Sequence, residues 1–251
     1  MTNAVFAAPP KTMQRSDRNE VIAAWFTPRA HQLAATLPAG PAGETWIYAP
    51  KKRESFDPPA GHLIRADGLK LWLYVSGYDA DRVSVSPSQV LMPEPGRESP
   101  RHAPLIDFVP YEERRHGWKA EAGFDLTRFI AATVATIANA IARKVLEPCA
   151  APFATATQRQ HEATVHANTT EAAAAALAAA YGGEMRSGKN GYHPDSPVVY
   201  TKGIPQLGMI EVRGADSFLI GRHGLTLSRR VLDTLIAALK AEATESQQEA
   251  A

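Results

Sequence analysis

The chain has 251 residues, 45% of them hydrophobic, and its 27 Lys and Arg against 26 Asp and Glu leave a formal net charge of +1. That length buries a substantial core in one large or two ordinary domains, and near neutrality excludes a global field drawing in nucleic acid or an anionic membrane, so any electrostatic recognition is local. The single cysteine, Cys149, excludes an internal disulfide; with no basic n-region in "MTNAVFAAPPKTMQRSDR" and no apolar run of transmembrane length, a reduced cytoplasmic protein that avoids membranes is expected.

In chain order, Ser16 is placed to cap a helix from Asp17 through Trp25 and Phe26, with Pro28 interrupting it and "PAGPAGE" ending it. Residues 1–43 therefore read as a helical arm preceding the main fold. "TWIYA", "HLIRA", "LKLWLYVS" and "DRVSVS" follow as strands. In the third, Leu69, Leu71, Leu73 and Val75 point one way while Lys70, Trp72 and Tyr74 point the other. One face is aliphatic core, and the other is aromatic with a positive charge.

Residues 87–104 carry five prolines and read as a long loop rather than a strand pair. "LIDFV" and "GWKAEAGF" resume the sheet. Asp125 suits an N-cap for a helix on which Ile130, Val134, Ile137, Ile141 and Val145 recur at helical spacing, with Arg143 and Lys144 near its end and Pro148 stopping it. This sheet-plus-helix unit spans 44–148. The weakly patterned 149–168 is a connector, and 169–243 a second unit.

In that second unit "TTEAAAAALAAAY" is a helix by propensity, ended by Gly182 and Gly183. Strands are expected at "GGEMRS", "PVVYTK", "LGMIEVR" and "SFLIGR". A last helix starts at Ser228 with Val231, Leu232, Leu235, Ile236 and Leu239 on one side. The tail 244–251 is expected to be disordered. The class is α+β: an N-terminal helical arm followed by two antiparallel sheet-plus-helix units.

No chemistry-bearing constellation stands out. The closest histidines, His161 and His166, are five apart, off the four-residue spacing that brings two imidazoles together on a helix, and one cysteine cannot build a zinc ribbon. There is no G-x-S-x-G or S-x-x-K, and Glu112 and Glu113 run straight into Arg114 and Arg115 as a solvated turn. In "MRSGKNGYHP" the Gly-Lys pair lacks the flanking glycine and Ser/Thr of a phosphate loop, and Asn190-Gly191 marks a turn. No catalytic residue, metal or cofactor is assigned.

What remains is recognition. Basic residues cluster at Arg114 and Arg115, at Arg186 and Lys189 beside His193, and at Arg229 and Arg230, with Trp72, Tyr74 and Trp118 available for stacking. The second unit has the helix, sheet, helix outline of a double-stranded RNA-binding domain, but its last helix opens "SRRVLD" without a lysine-rich start. The same ten residues equally suit a protein interface, where aromatics and arginine concentrate at buried centres. A homodimer in which the arm covers the mate's sheet is compatible with that pattern.

The block "GLKLWLYVSGYDADRVSVSPS", a Pro-rich loop and "FDLTRFIAATVATIANAIARKVLEP" resembles uncharacterised accessory proteins of phages and other mobile elements of high-GC bacteria, over residues 62–148. The resemblance implies a non-enzymatic protein that binds a host protein or nucleoprotein complex, as a defence inhibitor such as an anti-CRISPR does. It carries over no functional residue. The alternative is direct DNA or RNA binding, and an enzyme with a spatially assembled site stands third.

Overall fold

The computed structural model describes residues 9–10, 12–52, 57–76, 81–93, 100–186, 196–201, 207–220 and 224–249, the side chains of Arg186 and of 242–249 excepted. The chain is α+β and divides into two compact units, Met1–Val90 with Ala103–Ala156, and Leu91–His102 with Thr157–Ala251.

The first unit opens with helix α1, Arg15–Thr36, which runs unbroken through Pro28. Proline breaks a helix by losing an N–H and crowding the carbonyl four residues back. Here Pro28 lies on the exposed side, so the helix tolerates it and the Ala24 carbonyl loses its usual donor. Gln14 occupies the N-cap position without a side-chain bond, while Ser16 donates instead to the Asp17 carboxylate. Ile22, Phe26 and Ala30 are wholly buried and Leu33 nearly so, which makes α1 a layer of the core.

Strands β1 (Trp46–Pro50), β2 (Ala60–Arg65), β3 (Lys70–Val75), β4 (Arg82–Pro87) and β7 (Ala122–Asp125) form an antiparallel meander in the order β1-β2-β3-β4-β7. The β2–β3 turn uses Gly68 at φ 97°, a left-handed conformation that glycine adopts without strain. The strands alternate as their sequence alternates. Leu63, Leu71, Leu73, Val83 and Val85 are buried on one face, where Phe26 stacks on Phe129 at 5.7 Å and meets Tyr48 edge-on at 6.4 Å.

Between β4 and β7 the structure departs from expectation. The Pro-rich segment holds a short strand pair, β5 (Val90–Met92) with β6 (Arg101–Ala103). "LIDFV" forms a 3-10 turn, Leu105–Phe108, because Leu105 and Phe108, three apart, are buried together. Helix α2, Tyr111–Arg115, follows, so only the end of "GWKAEAGF" is strand.

The expected single helix is three pieces. Helix α3, Leu126–Ala131, stops at Ala132, and α4, Val134–Ile141, restarts on Thr133, whose hydroxyl accepts the Thr136 N–H at 3.3 Å. The break is held from outside. Arg29 of α1 donates from Nε to the Phe129 carbonyl at 3.1 Å and from Nη2 to the Ala132 carbonyl, capping the orphan end of α3.

Pro148 does not stop the helix. A π turn at Ala142–Leu146, closed by the Glu147 N–H on the Ala142 carbonyl, lets the chain pass into α5, Glu147–Tyr181. Pro152 then has no N–H for the Pro148 carbonyl, and the Trp118 indole supplies that bond at 3.3 Å. Residues 149–168, expected as a connector of weak pattern, are helical throughout. The 157–166 part exposes most of its side chains, which explains why no apolar stripe is visible there.

In the second unit, β8 (Gly183–Arg186), β9 (Val198–Thr201), β10 (Met209–Gly214), β11 (Ser217–Ile220) and β12 (Thr226–Leu227) form a second antiparallel meander in the order β12-β11-β10-β9-β8. Gly182, at φ 63°, ends α5 with a left-handed residue. Ala174 and Leu177 of α5 and Leu232 and Ile236 of α6 (Arg229–Glu249) pack with Val199, Ile210, Val212 and Phe218. Leu239 extends that stripe, whereas Val231 and Leu235, expected on the same side, are 50% and 36% exposed. They sit one residue, or about 100° of helix, from Leu232 and Ile236. The tail, expected to be disordered from 244, is helical to Glu249.

A candidate ligand-binding face on the first sheet

The registers of the first sheet fix what its second face carries. Cross-strand partners share a face, so His62 opposite Trp72, Tyr74 opposite Ser84, and Trp72 opposite Ser86 lie together. Ile64 and Lys70, paired across β2 and β3, continue the face along the strands beyond Trp72, and Arg82, Gly123 and Asp125 continue it towards β7. Neither Trp72 nor Tyr74 joins the aliphatic core; both are half-buried on this face.

The rings form one surface. His62 lies 4.6 Å from Trp72, and Trp72 lies 6.2 Å from Tyr74 with their planes 26° apart. Burial, then the neighbouring Lys70 ammonium, lowers the His62 pKa from its ordinary 6.5, so His62 is neutral at pH 7 and acts there as a third flat ring. Lys70 stands at one end of the row and the exposed Arg82 at the other. Gly123 makes room for Arg82: a Cβ there would fall 2.7 Å from the guanidinium. Asp125, the direct cross-strand partner of Arg82, is the one carboxylate among the paired positions of this face, and the exposed Glu121 follows on the same alternation just before β7. The face thus offers π surfaces between two cations, with the Ser86 hydroxyl beside them.

The other expected binding residues of the first unit lie outside the strands that form this face. Arg114 and Arg115 are exposed on α2. Trp118, expected as a stacking residue, is committed by its indole N–H to the Pro148 carbonyl, because Pro152 cannot serve that acceptor. In the second unit Arg229 is held internally: its backbone N–H goes to Asp216 at 2.6 Å, its Nε to Asp233 at 2.8 Å, and its guanidinium lies 5.9 Å from the Tyr181 ring centre. Tyr181 donates to the same Asp233 at 2.6 Å, and that hydrogen bond, with burial, raises its pKa. Arg229 therefore ties the β10–β11 turn, α5 and α6 together, with its side chain still partly exposed. Arg230 beside it is exposed. Arg186 is placed by its backbone on β8 opposite Val198, while Lys189 and His193 lie outside the described residues.

Two members of the face, His62 and Arg82, were missing from the expected set. The signal was present in the alternation of "HLIRA" and "DRVSVS", which assigns them to the side shared with Trp72 and Tyr74. Cys149 is fully buried, and burial pushes its thiol up to about 12, which removes it as a nucleophile. Among the described residues no cluster of three or more His, Cys, Asp or Glu is arranged to hold a metal, and no helix is long and apolar enough to cross a membrane. Comparison with protein-family models, curated proteins and solved structures finds no match to this chain.

Proposed function

We propose that the protein acts by binding rather than catalysis, and that its partner is a nucleoprotein complex whose single-stranded nucleic acid lies across the outer face of the first sheet. The observation that carries this reading is the continuous row His62–Trp72–Tyr74, with Lys70 at one end and Arg82 at the other. Aromatic faces accept any base, and cations at the ends of the row meet the phosphates on either side. An ordinary protein interface also concentrates rings and arginine; the nucleic-acid reading is favoured by the spacing of the rings as a stacking row with a cation at each end.

In a mobile-element setting, which the resemblance over residues 62–148 suggests, such binding would serve to block a host defence complex, in the manner of an anti-CRISPR protein. The test is a pull-down with the tagged chain from a bacterial host lysate, with and without nuclease. The expected result is a stoichiometric partner that carries nucleic acid and is lost on nuclease treatment and in Trp72→Ala/Tyr74→Ala. Recovery of the same partner by that variant, or turnover of a small substrate with no partner, overturns the reading. Binding of naked oligonucleotide alone, without any protein partner, selects the simpler direct nucleic-acid binder.

A further inference from the structure

A groove of about 470 Å³ runs between α1 and α3, lined by Ala24, Trp25, Pro28, Arg29, Gln32 and Ile130. Its volume is that of a small-molecule site, and its walls are mostly apolar with one charged residue among them. This place is separate from the aromatic face of the sheet and does not depend on the reading given to it.

Arg29 is the informative residue. Its hydrogen bonds go to the Phe129 carbonyl, the Ala132 carbonyl and, at 3.4 Å, the Gln32 side-chain oxygen. All three acceptors are neutral. Among the described residues no carboxylate forms an ion pair with it, so a half-buried guanidinium stands uncompensated. Burial lowers its pKa, the direction expected for a cation short of counter-charge. A guanidinium has five N–H groups, and these bonds engage three of them, leaving donors for a further acceptor. Beside it, Pro28 deprives the Ala24 carbonyl of its helical donor, and Trp25 and Ile130 supply apolar walls.

We propose that this groove binds a small apolar monocarboxylate, its carboxylate on the free N–H groups of Arg29 and its hydrocarbon body against Trp25, Pro28 and Ile130. The anion supplies the charge that the protein withholds, and the charge-assisted bond is stronger than the neutral ones already made. The apolar body matches the walls. A dianion or a strongly hydrated ligand would lose solvation that the groove does not return.

The experiment titrates 3-phenylpropanoate and, separately, 3-phenylpropanamide into the ¹⁵N-labelled full chain while following the Trp25 indole N–H resonance. The two probes share a body and differ in charge. The acid should shift the Trp25 resonance saturably, and the amide should bind weaker by about tenfold or more, the loss expected when a charge-assisted bond becomes a neutral one. Arg29→Gln tests the guanidinium but also removes the cap of α3. Gln32→Glu avoids that difficulty: position 32 is exposed, and a glutamate one turn from Arg29 supplies the missing counter-charge from within. It should leave the thermal midpoint at or above that of the parent and weaken the acid by about twofold or more. Equal binding of acid and amide overturns the proposal. So does full affinity in Gln32→Glu, or saturation that moves another tryptophan and leaves Trp25 unmoved.

Discussion

Replacing Trp72 with alanine in the full chain and measuring binding of a fluorescent single-stranded 12-mer by anisotropy puts the sheet face to a direct test. Stacking of one base on one aromatic ring contributes about 1–3 kcal/mol, so Trp72→Ala should raise Kd by about 5- to 150-fold. Tyr74→Ala should act in the same direction. The double variant should fall short of the product, because rings 6.2 Å apart share one surface and their effects are coupled. The electrostatic part is small. Two cations flank the row, Lys70 and Arg82, and about −0.7 of slope per neutralised phosphate gives roughly −1.4, or about a sevenfold loss of affinity from 50 to 200 mM salt. Lys70→Ala/Arg82→Ala should flatten that slope and leave the stacking contribution in place. Lowering the pH adds a third cation at His62. The fold holds this histidine neutral, so the stability it contributes is full above its ordinary 6.5 and falls as pH drops below that value. An anionic ligand reverses the preference, and binding should tighten over the same window. Trp72→Ala binding within twofold of the parent, at unchanged denaturation midpoint, would refute the reasoning. A salt slope steeper than about −3 would do the same, since the face does not hold enough cations to produce it.

Phe26→Ala should cost about 3–5 kcal/mol in denaturant titration, since its ring is wholly buried between Phe129 and Tyr48; a loss under about 1 kcal/mol would mean that α1 does not hold the core together. Cys149 should stay unlabelled by an aromatic disulfide reagent at pH 8 and react fully on unfolding. The Tyr48 hydroxyl, pushed by burial from 10.0 to about 12, binds its proton more tightly folded than unfolded; the stability linked to it should be intact below pH 10 and decline between pH 10 and 12. Trp118→Phe should cost about 0.5–1.5 kcal/mol by stripping the donor from the Pro148 carbonyl, read as a lowered denaturation midpoint.

The strand meander of the first unit was legible because half-buried strands write their two faces alternately into the sequence. "LKLWLYVS" states both the aliphatic core row and the aromatic outer row, and the structure keeps them apart. Gly182 at the end of α5 was legible for a similar reason, a local conformation that glycine meets best. The breaks and continuations of the helical region 126–168 were not, because they are set by remote residues. Proline at 148 reads as a stop when considered locally, yet a π turn absorbs it, and Trp118, 30 residues from Pro148, serves the acceptor that Pro152 leaves. The break at Ala132 is opposite in kind: an apolar stripe crosses it without interruption, and the cap is an arginine 103 positions earlier. The candidate groove was invisible for the same reason, since Arg29 carries no motif. Its meaning lies in what surrounds it.

That cap has a consequence for how related chains should vary. A lysine at position 29 keeps the charge but not the fork that reaches two carbonyls three residues apart, so a lysine there is no substitute. Position 29 and the Thr133 restart therefore serve the same break, one closing α3 and the other opening α4. A chain that loses the arginine is expected to lose the threonine as well and to run one uninterrupted helix from 126 onward, closing the groove beneath Trp25. A chain that keeps both should keep the groove.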